Sequence, residues 1–562
     1  MKSNSSGFPV TPQGNKSGRV VVDPVSRIEG HLRIEVELKD GKIANAWSSS
    51  TLFRGLEIIL KGRKPEDAQH FTQRSCGVCT YVHGLASTRA AEDACKVTIP
   101  ENATLIRNLV MASQYMHDHI VHFYHLCGLD WIDVAGALKA DPKKAASIAN
   151  SISPRKTKAE DLKAVQTTLK KFVDSGQLGP FTNAYFLNGH EGYYLSPELN
   201  LIGTAHYLEA LKIQLLPARA MAIFGGKNPH PQFMQVGGVT CYSSLEKDKL
   251  KQFRDLVMQT KNFIDQVYIP DLIAIAGQYK DWTQYGGCTN FLTFGEFPTK
   301  GQEFDTRFLP AGVVMDRNIK EIQKFDPGKI AEHVRYSWYK GDKALHPYKG
   351  ETDPKYTDMF GEDRYSWMKA PRYQDKAMET GPLAQVLIAY AKDHPKVKPL
   401  VDHVINTLGI KVENLYSTLG RIAARGIETA VIAEHCIEML DQLEGNLAAG
   451  KNQIIEDIDM VDKAEGVGFV NAPRGGLSHW LKVNEQRIDN FQLVVPSTWN
   501  LGPRCANDLL SPVEEALIGT PVADAERPVE ILRTVHSFDP CIACGVHVID
   551  GNTNKVHKFK IR

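Results

Sequence analysis

The sequence lacks the features that mark membrane-spanning, disulfide-rich and nucleic-acid-binding proteins. It has no run of roughly 18 or more apolar residues, so we predict no transmembrane helix. Ten cysteines in 562 residues are too sparse for a disulfide scaffold, and a net charge of +1 implies no nucleic-acid or anionic-membrane partner. The polar N-terminus has no apolar core segment and is not a secretory signal. What remains is a globular composition, 43% hydrophobic and 23% charged, able to bury a large core.

Local residue patterns predict a mainly helical chain with β-structure near both ends. Apolar and polar side chains alternate over 31–38, and the Asp-Gly pair at 40–41 predicts a hairpin turn, so we expect strands over about 21–50. β signals return at 466–500. Residues 280–380 are rich in Gly, Pro and aromatic residues, which indicates irregular structure with short strands. Helical patterns mark the segments 53–60, 80–94, 101–127, 198–222, 245–278, 383–393 and 412–445.

Two C-x-x-C pairs lie at opposite ends of the chain, each followed by a histidine. Cys76 and Cys79 form the first pair, and Cys541 and Cys544 form the second. Two thiolates three positions apart can face one metal ion, and four of them suit zinc, iron or nickel. Structural zinc modules usually place both pairs within a few tens of residues, whereas hundreds of residues intervene here. A buried site tied together by the whole fold is therefore favoured over a local zinc ribbon.

The other cysteines and a histidine-rich helix carry weaker signals. His122 and His125 are three residues apart and could bind a metal, but no carboxylate or third ligand is spaced with them, so core or interface roles are favoured. The isolated cysteines are interpreted as buried small hydrophobic residues. They are Cys95, Cys127, Cys241, Cys288, Cys436 and Cys505.

Four motifs together make the sequence similar to the large subunit of nickel–iron hydrogenases. They are R-I-E-G-H at 27–31, R-x-C-G-x-C-x-x-x-H at 74–83, A-P-R-G at 472–475 and D-P-C-x-x-C-x-x-H at 539–547, in the family's order. The last motif most resembles the periplasmic enzymes of sulfate-reducing bacteria, and its first ligand is cysteine, so the nickel–iron–selenium subclass is not indicated. All four cysteines are present, which argues against the related quinone-site subunit of respiratory complex I. The resemblance implies an α+β, predominantly helical fold with a long central helix bundle and peripheral β-sheets.

The resemblance also implies a nickel–iron centre that cleaves H2. Cys76, Cys79, Cys541 and Cys544 would bind nickel, and Cys79 and Cys544 would bridge to an iron that carries carbon monoxide and cyanide. Thiolates are soft, strongly donating ligands that stabilise low-valent metals and can span two of them. Heterolysis of H2 needs a base for the proton, and a terminal thiolate such as Cys541 can be the first one.

The residues expected around the metals come from the resemblance, because sequence alone favours ordinary roles for them. Glu29 would otherwise be a surface carboxylate paired with Arg27, but in the family it relays the proton from the terminal cysteine. Arg474 would overhang the open face of the metals, with Asp118 and Asp539 as its ionic partners. Further neighbours of the centre are expected to be Pro473, Arg474 and Ser497, as pocket walls or donors to the cyanides, and His83, as a donor to a bridging sulfur.

A second, harder metal ion and a gas channel are implied as well. In the family a magnesium binds the Glu57 carboxylate, the His547 imidazole and the backbone carbonyl at Leu493, with waters. Carboxylate, carbonyl and water ligands suit Mg²⁺. Val78 and Leu126 match positions that narrow the gas channel in relatives, although simple packing is equally compatible with these apolar side chains.

The chain holds no further cysteine cluster with ferredoxin spacing, so electrons must leave through another chain. The resemblance supplies that chain as an iron–sulfur small subunit in a heterodimer. The small subunit would carry the twin-arginine signal that exports both chains to the periplasm, where a multihaem cytochrome c would accept the electrons. The family also uses a maturation endopeptidase, which would cut between His547 and Val548.

These expectations divide the chain into a flexible arm (1–20), one interlocked large-subunit body (21–547) and a C-terminal propeptide (548–562) that is removed on maturation. Within the body we predict a β-hairpin region, a helical core, an irregular segment and a C-terminal β and ligand segment. Their respective ranges are about 21–50, about 53–280 and 383–445, about 280–380, and about 466–547.

Two other functions stay open on the sequence. A redox-inert scaffold with a structural four-cysteine zinc site would use the same cysteines, and metal analysis that found zinc without nickel would identify it. A hydrogen-sensing regulator would share the whole motif set. Sensors in the family usually lack a cleaved C-terminal tail, however, and this chain has such a tail.

Overall fold

The structure is a computed structural model that describes residues 17–176, 181, 189–359 and 361–542. Outside the described residues lie most of the predicted arm (1–16), the predicted metal ligands Cys544 and His547, and the cleavage site and propeptide from Val548 onward. No helix within the described ranges combines the length and the apolar character that crossing a bilayer requires.

The N-terminal segment folds into an antiparallel sheet, and apolar and polar side chains alternate along its second strand. Strands β1 (Gly18–Val22), β2 (Leu32–Lys39) and β3 (Lys42–Ser50) follow one another in the order β1-β2-β3. The apolar residues at alternate positions of β2 are buried. Between β2 and β3 the chain turns at Asp40 and Gly41, both with positive φ.

Helices form most of the framework that follows. Helix α13 begins at the N-cap Ser417, whose hydroxyl accepts a hydrogen bond from the Gly420 amide at 3.0 Å. It packs against α4 and α9 to α12, so the helices form a bundle around it. The predominantly helical α+β class is therefore confirmed. The helices are α1 (Leu56–Ile59), α2 (Ala68–Thr72), α3 (Val82–Cys95), α4 (Glu101–Val121), α5 (Pro142–Ile152), α6 (Ala159–Asp174), α7 (Pro197–Ile213), α8 (Leu215–Gly225), α9 (Lys247–Phe263), α10 (Ile269–Gln278), α11 (Pro382–Ala391), α12 (Val397–Leu408), α13 (Thr418–Ala448), α14 (Pro496–Leu501), α15 (Pro512–Leu517) and α16 (Val529–Ser537).

Helix α4 does not stop cleanly at its C-terminal end. It widens into a π turn over His122–Cys127 and then tightens into a 3₁₀ turn over Gly128–Asp130. π turns of this kind are frequent at functional sites. The change of pitch delivers the carboxylate of Asp130 into the interior, where its side chain is fully buried.

The middle of the chain contributes several short antiparallel pairs. β4 (Met234–Gln235) pairs with β5 (Gly238–Val239). Three further pairs follow, namely β6 (Phe291–Thr293) with β9 (Gly312–Val314), β7 (Glu296–Pro298) with β8 (Arg307–Leu309), and β10 (Ile330–His333) with β11 (Ala370–Tyr373).

The C-terminal region combines a sheet with helices that the sequence did not predict. Strands β12 (Lys463–Ala472), β13 (Gly475–Asn484) and β14 (Arg487–Val494) form an antiparallel sheet, and β12 packs directly on α3. Helices α14, α15 and α16 follow it. The first two are only six residues long, too short to show a helical period, although a proline at the first position marks the start of each.

One apolar core joins the two ends of the chain. It extends from Val20 in β1 to Ile542 after α16 and includes the three described cysteines of the C-x-x-C pairs. The backbone also ties the ends together, because the Ile43 amide donates to the Thr520 carbonyl at 3.0 Å. The N-terminal sheet and the last described segment are thus held as neighbours before any metal is considered.

Candidate functional site

Three cysteine thiols from opposite ends of the chain meet inside the core. Cys76 and Cys79 lie in the loop before α3, and Cys541 follows α16. Cys76 Sγ is 3.2 Å and Cys79 Sγ is 3.9 Å from Cys541 Sγ. The Cys79 amide donates to Cys76 Sγ at 3.2 Å, which closes the C-x-x-C turn. All three are buried and none forms a disulfide.

These sulfurs form a site for a soft or borderline metal ion. Thiolates about 2.3 Å from one tetrahedral ion lie roughly 3.8 Å apart. The Cys79–Cys541 separation of 3.9 Å matches this spacing, whereas the Cys76–Cys541 separation of 3.2 Å is shorter. Within the described ranges, they are the group of metal-ligating side chains whose ligand atoms converge within 4.8 Å. An all-sulfur set disfavours hard cations and fits nickel, iron or zinc. The fourth predicted ligand, Cys544, lies outside the described residues.

Glu29 lies against the ligand segment and not on an open surface. The Glu29 amide donates to the Pro540 carbonyl at 3.3 Å, and the Ile542 amide donates to the Glu29 carbonyl at 2.8 Å. Glu29 Oε2 lies 3.5 Å from Cys541 Sγ, within hydrogen-bonding reach of sulfur. Arg27, the partner that sequence alone favours, pairs with Asp130 instead. The Glu29 carboxylate is therefore placed to exchange a proton with the thiol.

Arg474 is buried between two carboxylates. Its Nη1 donates to Asp118 Oδ2 at 2.8 Å, and its Nη2 lies 3.1 Å from Asp539 Oδ1 in an ion pair that is not aligned as a hydrogen bond. Gln114 Nε2 also donates to Asp118 Oδ1, at 2.7 Å. Burial alone would lower the pKa of Arg474, but the charges of Asp539 and Asp118 raise it well above its usual value. Arg474 is therefore a fixed cation.

Ser497 and Pro473 border the same region. Ser497 Oγ accepts a hydrogen bond from the Cys541 amide at 3.0 Å, so its own hydroxyl proton can be donated elsewhere. Pro473 is buried next to Arg474. Their predicted contacts with cyanide stay predictions.

His83 belongs to a buried polar chain behind the first cysteine pair. Its Nδ1 lies 3.1 Å from His479 Nε2, and His479 Nδ1 lies 2.9 Å from Ser87 Oγ. Burial lowers the pKa of His83 to about 4, against the raising effect of Cys76. The ring is therefore neutral at physiological pH and can donate from one nitrogen only. Its predicted bond to a bridging sulfur stays a prediction.

The residues predicted to hold a hard metal ion lie beside a second buried carboxylate, that of Glu332. Glu57 Oε1 accepts from the Leu493 amide at 2.9 Å, and Glu57 Oε2 lies 3.0 Å from Lys369 Nζ. Glu332 is 3.7 Å from Lys369 Nζ, and both of its buried oxygens lack a hydrogen-bond partner. Burial raises the pKa of Glu332 to about 7. Two buried carboxylates are ligands that suit Mg²⁺ with bound waters, and in this structure Lys369 supplies the positive charge between them.

The remaining predicted residues are accounted for by ordinary contacts. Val78 packs against the core, and its carbonyl accepts from Gln114. The Leu126 carbonyl accepts from Arg27 Nη1 at 2.7 Å.

The two histidines considered as metal ligands also make ordinary contacts. His122 Nε2 lies 2.6 Å from the His536 carbonyl, and His125 Nε2 lies 3.2 Å from the Tyr207 carbonyl. Neither histidine joins a metal-ligand cluster within the described part of the chain. Of the isolated cysteines, Cys95 is only half-buried, whereas Cys127, Cys241, Cys288, Cys436 and Cys505 are buried.

Sequence reasoning missed four residues that shape this region, namely Asp130, Glu332, Lys369 and His479. Each acts on a partner that is distant in the chain, such as Lys369 on Glu57 and His479 on His83. No spacing rule relates such pairs. The single local signal is the Gly-Leu-Asp sequence at 128–130, which follows the histidine-rich helix and ends it.

Comparison with protein families gives one match that covers most of the chain. A family described as "Nickel-dependent hydrogenase" matches residues 54–547, and a second, described as "HoxL-like", matches residues 19–49. The matched ranges contain the three converging thiols, Arg474 and Glu29.

Several hydrogenase large subunits are similar in sequence to this chain over nearly their whole length. An uptake hydrogenase large subunit from Rhizobium leguminosarum bv. viciae is 43% identical, over 98% of this chain and 99% of the relative. The hydrogenase-1 large chain of Escherichia coli K12 is 42% identical, over 98% of each. A quinone-reactive Ni/Fe-hydrogenase large chain from Wolinella succinogenes is also 42% identical, over 97% and 98%. Among solved structures, the Ni-Fe-Se hydrogenase of D. vulgaris Hildenborough matches with a TM-score of 0.79 and 33% identity, covering 94% of this chain and 99% of that one.

Proposed function

The chain belongs to the nickel-dependent hydrogenase family as a large, catalytic subunit, and we propose how its residues carry out the cleavage of H2. Cys76, Cys79, Cys541 and Cys544 would hold the nickel, and Cys79 and Cys544 would also hold an iron with carbon monoxide and cyanide ligands. When bound, this centre would supply a soft electrophilic site that polarises H2 and accepts the two electrons of the H–H bond. The observation that carries the proposal is the convergence of three buried thiols beside one carboxylate.

Cys541 is the first proton acceptor and Glu29 is the second. The proton moves from Cys541 Sγ to Glu29 Oε2 across a separation of 3.5 Å, within the range of one hydrogen bond to sulfur. Both groups are held by backbone hydrogen bonds between their segments. A positioned carboxylate of this kind typically contributes about 10² to 10⁴-fold to a proton-transfer step.

Arg474 supplies a fixed positive charge at the open side of the site. Asp118 and Asp539 hold its two Nη atoms, at 2.8 and 3.1 Å, and so fix the plane of the guanidinium. A guanidinium keeps its charge at any working pH. Its role in the proposal is to orient and polarise the substrate pocket, with the proton relay assigned to Glu29.

In this proposal, electrons leave through a second subunit. The relatives are named large subunits or large chains, which supports the presence of a smaller partner chain. We assign that role to an iron–sulfur small subunit that forms a heterodimer with this chain and brings both to the periplasm. A multihaem cytochrome c is the proposed acceptor. A quinone-linked acceptor is the second candidate, since the Wolinella succinogenes relative is named quinone-reactive.

Maturation and the second metal ion complete the proposal. Mg²⁺ would be held by Glu57, the Leu493 carbonyl and His547. An endopeptidase cuts after His547 once the metals are in place, which removes the residues from Val548 onward. The propeptide is mostly polar or basic, and burying unpaired charges is costly. We therefore propose that the uncut tail opposes completion of the site and that its removal relieves this cost.

The decisive experiment replaces the proton relay and leaves the metal ligands intact. In the purified heterodimer, Glu29→Gln should keep its nickel and iron content, while exchange of H2 with solvent deuterons falls by about 10²-fold or more. Glu37→Gln, an exposed glutamate in β2 of the same region, is the matched control and should exchange like the wild type. Wild-type exchange in Glu29→Gln would move the relay to another group.

A further inference from the structure

The two groups that exchange the proton sit on segments whose backbones share an uncommon feature. Arg27, two residues before Glu29, has φ of 56°, and Asp539, two residues before Cys541, has φ of 54°. Left-handed backbone at a non-glycine residue costs roughly 1–2 kcal/mol and persists only where surrounding contacts hold it. Each of these residues is held by a buried ion pair, Asp539 with Arg474 and Arg27 with Asp130.

Asp130 connects both segments through one carboxylate. Its Oδ1 pairs with Arg27 Nη2, and its Oδ2 lies 2.6 Å from His536 Nδ1 in helix α16, five residues before Cys541. The Asp130 and His536 side chains are fully buried, and the side chain of Arg27 is 7% exposed. One side chain therefore touches the loop that carries Glu29 and the helix that precedes Cys541.

The partners of Asp130 are themselves fixed, so the contact is rigid. Arg27 Nη1 donates to the Leu126 carbonyl at 2.7 Å, and His536 Nε2 lies 2.8 Å from the Ser26 carbonyl. Arg533 Nε donates to the Asp130 carbonyl at 2.8 Å. Burial alone would raise the pKa of Asp130, but Arg27 and His536 outweigh it and lower that pKa. The carboxylate is thus ionised and held between two donors.

We propose that Asp130 is a positioning residue that holds the Glu29 loop against the Cys541 segment and so sets the distance for proton transfer. This inference rests on the proposed relay from Cys541 to Glu29. The backbone bridge between the two segments fixes their main chains at Glu29, Pro540 and Ile542. The Asp130 contacts fix the residues that precede Glu29 and Cys541 in each segment. A displacement of about 1 Å between the two reacting groups can lower the rate by about 10²-fold.

The test compares Asp130→Asn, Glu29→Gln and the double variant in the metal-loaded heterodimer. We expect Asp130→Asn to keep its nickel and iron content and to lose about 10 to 100-fold in H2–deuteron exchange. We also expect a larger solvent isotope effect and faster amide hydrogen exchange at Glu29 and Ile542. Because positioning matters only while the relay exists, the double variant should be no slower than Glu29→Gln alone.

Glu92→Gln is the matched control, because Glu92 forms a similarly buried ion pair with Arg107 in which neither side chain exceeds 5% exposure. It should leave the exchange rate and the isotope effect unchanged. If Asp130→Asn does not accumulate, Arg27→Lys gives the same test, because it keeps the charge but lacks the two separate Nη donors that reach Asp130 and the Leu126 carbonyl.

The outcomes separate the inference from the function on which it rests. Wild-type exchange in a folded Asp130→Asn variant, beside a strong loss in Glu29→Gln, would overturn the positioning role alone. Effects that multiply in the double variant would overturn it too. Wild-type exchange in Glu29→Gln would overturn the relay and the positioning role together.

Discussion

The contact between β12 and α3 leads to a prediction that links packing to the metal site. Helix α3 begins three residues after Cys79, so its position sets where the first cysteine pair lies. A Cβ added at Gly468 in β12 would lie 1.9 Å from the Ala86 carbonyl oxygen and 2.7 Å from the Ala90 amide nitrogen of α3. Both atoms belong to the backbone, so no side chain can rotate away. Gly468→Ala must therefore push the strand and the helix apart.

The size of that displacement follows from the same distances. Ordinary Cβ contacts begin at 3.4 Å, against 1.9 Å here, so the two elements must separate by about 1.5 Å. Metal–ligand distances tolerate deviations of only about 0.2 Å. Overpacking of a core typically costs about 1–3 kcal/mol, and this clash lies at the upper end because backbone meets backbone. We expect Gly468→Ala to lower the unfolding temperature and to reduce the nickel content.

Gly445→Ala provides the control, because Gly445 is exposed in α13 and an added Cβ meets nothing within 4 Å. The same substitution should raise stability there by about 0.5–1 kcal/mol, since glycine is a poor helix former. Thermal unfolding and nickel analysis of both purified variants give the comparison. If Gly468→Ala unfolded at the wild-type temperature with full nickel, the strand–helix contact would not position the first cysteine pair.

Two further predictions concern a buried acid and the C-terminus. Burial raises the pKa of Glu428, 2.9 Å from His119, to about 8. The unfolded chain releases this proton near pH 4.5, whereas the folded chain keeps it up to about pH 8. As the pH rises between these two values, the free energy of unfolding of the wild type should therefore fall, relative to that of Glu428→Gln, by about 1.4 kcal/mol per pH unit. Unfolding midpoints of both proteins from about pH 5 to 8 test this, and parallel curves would contradict it. Separately, we expect the active large subunit to end at His547, and an intact mass that still includes Arg562 in fully active enzyme would show that maturation does not need the cut.

The sequence predicts the cysteine pairs and the helical character well because both are recorded in local spacing. A C-x-x-C pair requires only a tight turn, and the structure closes that turn with the Cys79 amide on Cys76 Sγ. Long helices such as α13 repeat their apolar positions often enough to be recognised. Short elements do not, which is why the six-residue helices α14 and α15 were missed although they follow the last sheet directly.

The contacts that set the site are not recorded locally. Lys369 and Glu332 come from the segment predicted as irregular, yet Lys369 reaches Glu57 across 312 positions of the chain. The partner of Arg27 could not be predicted from the sequence either. Sequence adjacency suggests that it pairs with Glu29, but its left-handed backbone turns it toward Asp130. Only the tertiary fold decides between a carboxylate that is adjacent in sequence and one that is about a hundred positions away.

Buried ion pairs therefore hold the side chains of the site in place, although the surrounding core is apolar. Arg474 pairs with Asp118 and Asp539, and Asp130 contacts Arg27 and His536. These contacts fix the segments that lead to Glu29 and Cys541. Breaking a buried pair by removing one partner commonly costs about 3–5 kcal/mol because the other charge is left unpaired. That penalty makes both segments resist small displacements. A rigid framework is what a proton transfer over one sulfur–oxygen contact requires, because the rate falls steeply once the two atoms separate.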